Sequence, residues 1–512
     1  MSEPREIELK LECEPSDLAT LQAHALLQEA SEQSEADLTS TYFDTPDQRL
    51  REAGLGLRVR RIGDRYVQTL KAEGDGLFSR PEWEQEVDGD KPDLAALAHT
   101  PLDEVLGRKD ELQPLFTTSV KRRTYLVEQG NSRIEVALDS GRIEAPAAGG
   151  RVVPVCEVEL ELKQGTSGDV FALSQAIAAL APLRLGVRSK AERGYSLASG
   201  KLDRIHKAER VPLREDMSAA EAFQAVAHAC LRHMRLNEDV LLRGRNADAL
   251  HQTRVAIRRL RSAFSLFGDL VADARGARIQ AELKRVTEPL GQARNLDVFL
   301  ATTLPSERER HPDEVGLLNL ETQLEDQRSK AYEAVQSLLH SAEWRGLVLD
   351  LVAWINAGPW LRDEAEGRAE LREEPARDFA ARELGRRRRQ VKRRGRHLDD
   401  LRPEDRHKVR IAAKKLRYGA EFFAGLYPDK KAVKRHATFV KALSELQDQL
   451  GALNDIATGH EVVRDIAGEH PGASALFAAG MTAADLEART RKLLAAAADA
   501  HEDLVDAKPF WR

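Results

Sequence analysis

Residues 6–10 read Glu-Ile-Glu-Leu-Lys. Glu6, Glu8 and Lys10 alternate with Ile7, Leu9 and Leu11, so a β-strand here has one charged face and one apolar face. Residues 156–163, Cys-Glu-Val-Glu-Leu-Glu-Leu-Lys, repeat the pattern: Glu157, Glu159, Glu161 and Lys163 share one face, and Val158, Leu160 and Leu162 the other. Carboxylates two residues apart on a strand lie about 7 Å apart on one side. Two such strands brought together offer oxygen ligands suited to a hard divalent cation. A half-solvated antiparallel sheet alternates in the same way, so the remaining strands decide between the two readings.

Those strands bring cations with the same parity. Arg58 and Arg60 share a face in Leu-Gly-Leu-Arg-Val-Arg-Arg, and Lys71 closes the strand Tyr66–Lys71. Residues 80–88 place Arg80, Glu82, Glu84, Glu86 and Asp88 opposite Trp83 and Val87. A strand near 119–128 carries Lys121, Arg122 and Arg123, and residues 133–139 set Glu135 and Asp139 opposite Ile134, Val136 and Leu138. With a strand near Thr39–Phe43, about eight strands precede residue 165, divided by turn signals such as Gly63-Asp64 and Gly74-Asp75-Gly76. Eight antiparallel strands close a barrel wide enough for one small ligand. An inward face of carboxylates mixed with Arg and Lys suits a polyanion together with its metal ions.

The ordered motifs of this region resemble the CYTH domain, the triphosphate tunnel metalloenzyme fold. They are Glu6-x-Glu8-x-Lys10, Thr41-Tyr42-Phe43-Asp44-Thr45, Leu57-Arg58-Val59-Arg60, Thr69-Leu70-Lys71, Ala137-Leu138-Asp139-Ser140-Gly141, Cys156-Glu157-Val158-Glu159 and Ser189-Lys190. The resemblance covers roughly residues 1–200. It implies hydrolysis of a triphosphate in an eight-stranded tunnel with Mg2+ or Mn2+. By the family pattern Glu6, Glu8, Glu157 and Glu159 ligate metal, and Asp139 joins them. Lys10, Arg58, Arg60, Lys71, Arg122 and Lys190 grip phosphate oxygens, with Arg122 uncertain by one residue within Lys121-Arg122-Arg123. Glu82, Glu84, Glu135 and Glu161 fit the parity without an assigned role.

At 512 residues the chain is long enough for two or three domains. Cys13, Cys156 and Cys230 have no paired spacing, which argues against a disulfide framework or a thiolate metal site. No apolar run approaches the roughly 20 residues of a membrane span, and the first residues lack the apolar core of a signal peptide. A cytoplasmic protein, without membrane partners, is the expectation. No Gly-x-x-x-x-Gly-Lys-Ser/Thr loop occurs, which argues against a P-loop enzyme. The net charge of −6 hides an asymmetry: residues 1–200 carry −11 and the remainder +5. The first part is strand-rich and acidic, whereas the second is rich in Ala, Leu, Arg and Glu with helical periodicity. The boundary is expected in a linker at 201–217.

The second part contains a repeat. Residues 251–261 read His-Gln-Thr-Arg-Val-Ala-Ile-Arg-Arg-Leu-Arg, and residues 407–417 read His-Lys-Val-Arg-Ile-Ala-Ala-Lys-Lys-Leu-Arg. His251, Arg254, Arg258 and Arg261 thus match His407, Arg410, Lys414 and Arg417, and their spacing puts each set on one helical stripe. Leu290–Asp297 and Leu450–Asp455 also run parallel, which divides the region into halves of about 218–365 and 366–512, each expected to be a helical bundle. Like charges at i, i+4 destabilise an isolated helix. Two facing stripes would instead bind a linear polyanion. Aromatics are 5% of the chain and none interleave the stripes, so nucleic acid fits less well than polyphosphate.

These motifs resemble the CHAD domain, the conserved-histidine α-helical domain, over residues 218–512. The resemblance implies binding of inorganic polyphosphate by the eight stripe residues, and with it an association with polyphosphate granules. Arg294-Asn295-Leu296-Asp297 departs from the Arg-Asp-x-Asp often found in the family, so Asn295 is given no role. The basic run Arg386–Arg396 reads equally as a contact or as a solvated face. The expected architecture is α+β: an eight-stranded antiparallel tunnel followed by an all-α domain. The expected function is metal-dependent hydrolysis of inorganic triphosphate with polyphosphate binding. A class IV-type adenylate cyclase and a non-enzymatic polyphosphate-binding scaffold are the alternatives.

Overall fold

The charged strand that opens the chain is β1 (Arg5–Glu12), and it meets its matching acidic strand directly. The structure is a computed structural model that describes residues 5–74, 76–107, 110–146, 149–365, 367–468 and 490–512, without the side chains of 5–6 and 454–468. The strands are β2 (Glu32–Asp44), β3 (Leu55–Ile62), β4 (Arg65–Ala72), β5 (Ser79–Val87), β6 (Gln113–Gln129), β7 (Ser132–Glu144), β8 (Val152–Gln164) and β9 (Arg184–Leu185). They pair antiparallel in the order β5-β4-β3-β2-β6-β7-β8-β1-β9. A further β1–β5 pairing, Glu6 opposite Arg80, closes eight of them into a barrel. The two-residue β9 pairs with the end of β1 and was not legible in the sequence.

The register fixes which side chains share the inner face. Lys10 lies opposite Glu159, and Glu8 opposite Glu161. Asp139 is flanked by Arg122 and Glu157, and Arg58 and Arg60 by Tyr42 and Ser40. Because the side-chain period is two, the alternate residues Leu9, Leu11, Val136, Leu138, Val158 and Leu160 turn outward together, and all are buried. The helix Ser167–Ala178 covers part of that outer surface, whereas Lys190–Ala198 packs on inner-face residues, with Tyr195 and Leu197 against Tyr42, Phe116, Ile143 and Val155. The helix Ala342–Ala357 packs on Ser167–Ala178 and β9, although it lies far along the chain.

The chain folds as two compact units, Met1–Ile205 with Ser341–Gly358, and His206–His340 with Pro359–Arg512. The described residues of the second unit are helical, with long helices at Ala219–Arg243, Ala247–Leu266, Val315–His340, Ala376–Arg394, Pro403–Phe422, Lys430–Gly468 and Thr490–Asp506. Phe223, Phe264, Phe267, Phe379, Phe422 and Phe423 are buried in it.

The helix Lys190–Ala198 is set by two local devices. Ser189 caps it, accepting from Glu192 N at 3.2 Å while donating its own N–H to Glu192 Oε2 at 2.7 Å. Gly194 lets it lie against Phe116, since a Cβ there would sit 2.0 Å from the ring. Gly194→Ala must push this helix off the barrel. A loss of about 1–3 kcal/mol is expected, read as a lower urea midpoint at unchanged slope.

Candidate active site

The barrel's inner face concentrates buried carboxylates and compensates each with a cation. Asp139, Glu157 and Glu159 are all buried, and one carboxylate oxygen from each lies within 4.8 Å of the others. Lys190 Nζ reaches all three, at 2.6 Å from Asp139 Oδ2, 3.0 Å from Glu159 Oε1, and in direct contact with Glu157. Arg122 grips Asp139 in a bidentate fork, Nε to Oδ1 at 2.7 Å and Nη2 to Oδ2 at 2.6 Å, and also touches Glu159. Lys10 Nζ lies 3.0 Å from Glu159 Oε1 and contacts Glu8. Glu8 thus shares Lys10 with Glu159, and it accepts from Arg80 Nη2 at 2.9 Å.

These contacts set the charge states. Burial alone would raise the Glu159 carboxyl, but Lys10, Lys190 and Arg122 outweigh it and hold the group well below the usual carboxylate range. Asp139 is likewise lowered: burial works against ionisation, and Lys190 and Arg122 overcome it. Burial would discharge Lys190, yet Asp139, Glu157 and Glu159 raise its pKa.

The other expected phosphate ligands line the opposite wall. Burial, with help from Arg58 and Arg122, brings Arg60 down to about 10, and its Nε donates to Ser40 Oγ at 3.1 Å. Arg58 sits opposite Tyr42; burial works against its charge, but Tyr42 and Glu82 outweigh that and raise its pKa. Lys71 Nζ lies 3.2 Å from Glu82 Oε1. Of the run Lys121-Arg122-Arg123, only Arg122 turns inward; Lys121 and Arg123 pair with Glu35 on the outside. The side chain of Glu6 lies outside the described residues, although its backbone is in register with Arg80. Glu135 and Glu161 both pair with Lys163.

Sequence reasoning put Arg80 on the charged face and Tyr42 in a motif without giving either a role, and it missed Arg193 and Ser40. Arg193 Nη1 reaches Glu157 Oε2 at 3.2 Å. Its signal was its position three residues after Lys190 on one helix, which puts both on one face. Lys190, expected to grip phosphate oxygens, here contacts three carboxylates.

In the second unit the first stripe lies on the helix Ala247–Leu266 and the second on Pro403–Phe422. His251, Arg254 and Arg258 are half-buried and crowd one another and Arg294. Burial chiefly, and then Arg258 and Arg294, pulls Arg254 down to about 10. Burial and then Arg294 and Arg258 lower His251. Arg258 Nε donates to Tyr418 OH of the other helix at 2.8 Å, and Arg261 lies near Lys415. Arg410, Lys414 and Arg417 are half-buried and His407 is exposed. Arg417 Nε donates to Glu421 Oε1 at 2.9 Å. Much of the basic run 386–396 is structural: Arg386 pairs with Glu383, and Arg388 donates to the Val505 and Ala507 carbonyls.

Comparison with known proteins agrees with this division. The CYTH domain model matches residues 4–195, and the CHAD domain model residues 225–464. Over 200 residues the chain is 35% identical to the inorganic triphosphatase of Haemophilus influenzae, covering 38% of this chain and 55% of that protein. The match thus spans little more than half of that relative's length. The crystal structure of the CHAD domain from the plant Ricinus communis is 30% identical, covers 58% of this chain and 96% of its own, and superposes with a TM-score of 0.51. No helix among the described residues is long and apolar enough to cross a membrane. A closed barrel lined with paired carboxylates and cations, followed by helices bearing a repeated basic stripe, makes this chain a CYTH domain followed by a CHAD domain.

Proposed function

We propose that the barrel hydrolyses inorganic triphosphate with the help of a divalent cation, and that the helical unit binds inorganic polyphosphate. The observation that carries the first part is the trio Asp139, Glu157 and Glu159, buried within 4.8 Å of one another and faced by basic side chains on the same inner surface. Three buried carboxylates are a hard-oxygen donor set that fits Mg2+ or Mn2+, with Glu8 beside Glu159 as a fourth candidate. Such an ion supplies charge neutralisation and Lewis acidity at the phosphate chain.

The chain's own residues do the rest. Arg58, Arg60 and Lys71 line the wall away from the acids and offer fixed donors to phosphate oxygens. Arg60 keeps its charge at neutral pH, because a pKa of about 10 still leaves it protonated. Lys10 and Arg122 contact these carboxylates while 12% and 17% of their side chains stay exposed, so they are placed to exchange an acid for a substrate oxygen. Lys190 holds the three acids in register. The test offers the protein triphosphate and ATP with magnesium and follows orthophosphate and cyclic AMP. Orthophosphate from triphosphate supports the proposal. Cyclic AMP as the main product would assign a cyclase, and no product from either would leave a binding scaffold.

Lys190→Met isolates the acid trio. Removing the one side chain that touches all three leaves buried like charges, and a loss of about 3–5 kcal/mol of stability is expected. Magnesium or manganese should restore part of it, up to about 2.7 kcal/mol at a hundredfold excess over the dissociation constant. Thermal unfolding with and without the metal checks this apart from any activity. A variant that melts at one temperature in both conditions would remove the metal assignment.

The polyphosphate reading rests on His251, Arg254 and Arg258 of the helix Ala247–Leu266 crowded against Arg294 of the helix Glu288–Val298, where burial and like charge outweigh Asp248 at His251. Arg254→Ala should weaken polyphosphate binding and flatten its salt dependence, while stability holds or rises as repulsion is relieved. Protonated His251 adds charge, so affinity should rise as pH falls. Because His251 is lowered, that rise is expected below the ordinary 6.5. Titrations of polyphosphate at several salt concentrations and pH values read both effects.

A further inference from the structure

Cys13 and Cys156 are 143 residues apart in sequence, and their sulfurs lie 3.6 Å from each other. The β1–β8 register pairs Glu12 with Glu157, and the next step sets Cys13 across from Cys156, where Cys13 N–H donates to the Cys156 carbonyl at 3.1 Å. Residues directly opposite on antiparallel strands have Cα atoms about 4.5–5.5 Å apart, inside the range that a disulfide spans. Glu157 and Glu159 turn into the barrel, so the alternation turns Cys156 to the other face. Both cysteines are half-buried and open to a small reagent, whereas Cys230 is buried in the helix Ala219–Arg243.

We propose that Cys13 and Cys156 form a reversible dithiol–disulfide couple that staples β1 to β8 beside Glu157, exchanging with small-molecule disulfides of the glutathione type. One cysteine sulfur attacks the small disulfide, giving a mixed disulfide and releasing one small thiol. The second cysteine sulfur then attacks the protein-bound sulfur and releases the other. Two S–H bonds are lost and one protein S–S bond forms, and the small disulfide is reduced to two thiols. The sulfurs close from 3.6 Å to about 2.05 Å by side-chain rotation, since the backbone already pairs the two strands. The bond would close a long loop between the two strands that hold Glu8, Lys10, Glu157 and Glu159. Such loops gain most from a crosslink, so the first unit's thermal midpoint should rise by about 5–15 °C.

The experiment equilibrates the full chain in buffers of rising oxidised-to-reduced glutathione ratio, then quenches with acid, alkylates and maps peptides by mass spectrometry. The wild-type chain and Cys230→Ser should each lose two free thiols, yield the 13–156 linked peptide and melt higher, all reversed by dithiothreitol. Cys13→Ser should give no linked peptide and no thermal shift. Three alkylated thiols in the wild type under excess oxidised glutathione would overturn the proposal. So would a linked peptide that joins any other pair, or an unchanged melting midpoint in the crosslinked chain. The wild-type measurements stand by themselves should a serine variant fail to fold.

Discussion

Glu159→Gln is expected to lower the proposed triphosphatase activity by two to three orders of magnitude, about 3–4 kcal/mol of transition-state stabilisation. Glu159 is the most connected acid of the barrel among the described residues: Lys10, Arg122 and Lys190 all touch it. The amide keeps the shape and removes both a charge proposed to hold the metal and the counter-charge of three cations. The same change alters the response to acid. Glu159 and Asp139 are held below their ordinary values of 4.5 and 3.8 in the fold. Their stabilising contribution is therefore complete above those ordinary values and is lost as pH falls toward the lower folded ones. The variant should start less stable at neutral pH and lose less on acidification below about pH 4.5. Rates with triphosphate and magnesium, with acid unfolding followed by circular dichroism, measure both parts. Wild-type activity in a folded Glu159→Gln would sink the assignment of the acid trio.

A chain cut near Gly200 is expected to fold with markedly lower stability than the first unit in the full chain. Sequence composition places the boundary at 201–217, which invites a fragment of residues 1–200 that retains activity. The first unit also contains Ser341–Gly358, whose helix packs on Ser167–Ala178 and on β9. That helix carries Trp344, Leu351, Val352, Trp354 and Ile355, all buried, and Asp350 accepts from Gln175 Nε2 at 2.6 Å. Without it the fragment exposes part of the apolar cover of β1 and β9. A loss of several kcal/mol is expected, with a melting midpoint on the order of 10 °C below that of the first unit in the full chain. Appending residues 341–358 through a flexible linker should recover most of the difference. Equal midpoints for the fragment with and without that segment would show that the helix adds nothing to the barrel's stability.

The barrel was legible because its signal is local. A period of two, read on β1, β3, β5, β7 and β8, assigned Glu8, Lys10, Arg58, Arg60, Asp139, Glu157 and Glu159 to one face, and the register confirms that shared face. The helical stripes were legible for the same reason, with a period of 3.6 in place of two. Lys121-Arg122-Arg123 shows the limit. Three consecutive cations leave parity undecided by one residue, and only the pairing of Arg122 with Asp139 settles which one enters.

The sequence by itself determined the two kinds of fold and the chemistry of each face, because alternation and helical spacing are properties of neighbours in the chain. Tertiary structure alone decided what those faces meet. Lys190 reaches Asp139, Glu157 and Glu159 because Gly194 seats its helix against Phe116. Arg80 reaches Glu8 because β5 closes on β1. The helix at 342–357 joins the barrel unit. Each of these joins residues dozens to hundreds of positions apart, and what selects them is the fit of packed surfaces, which no local periodicity encodes.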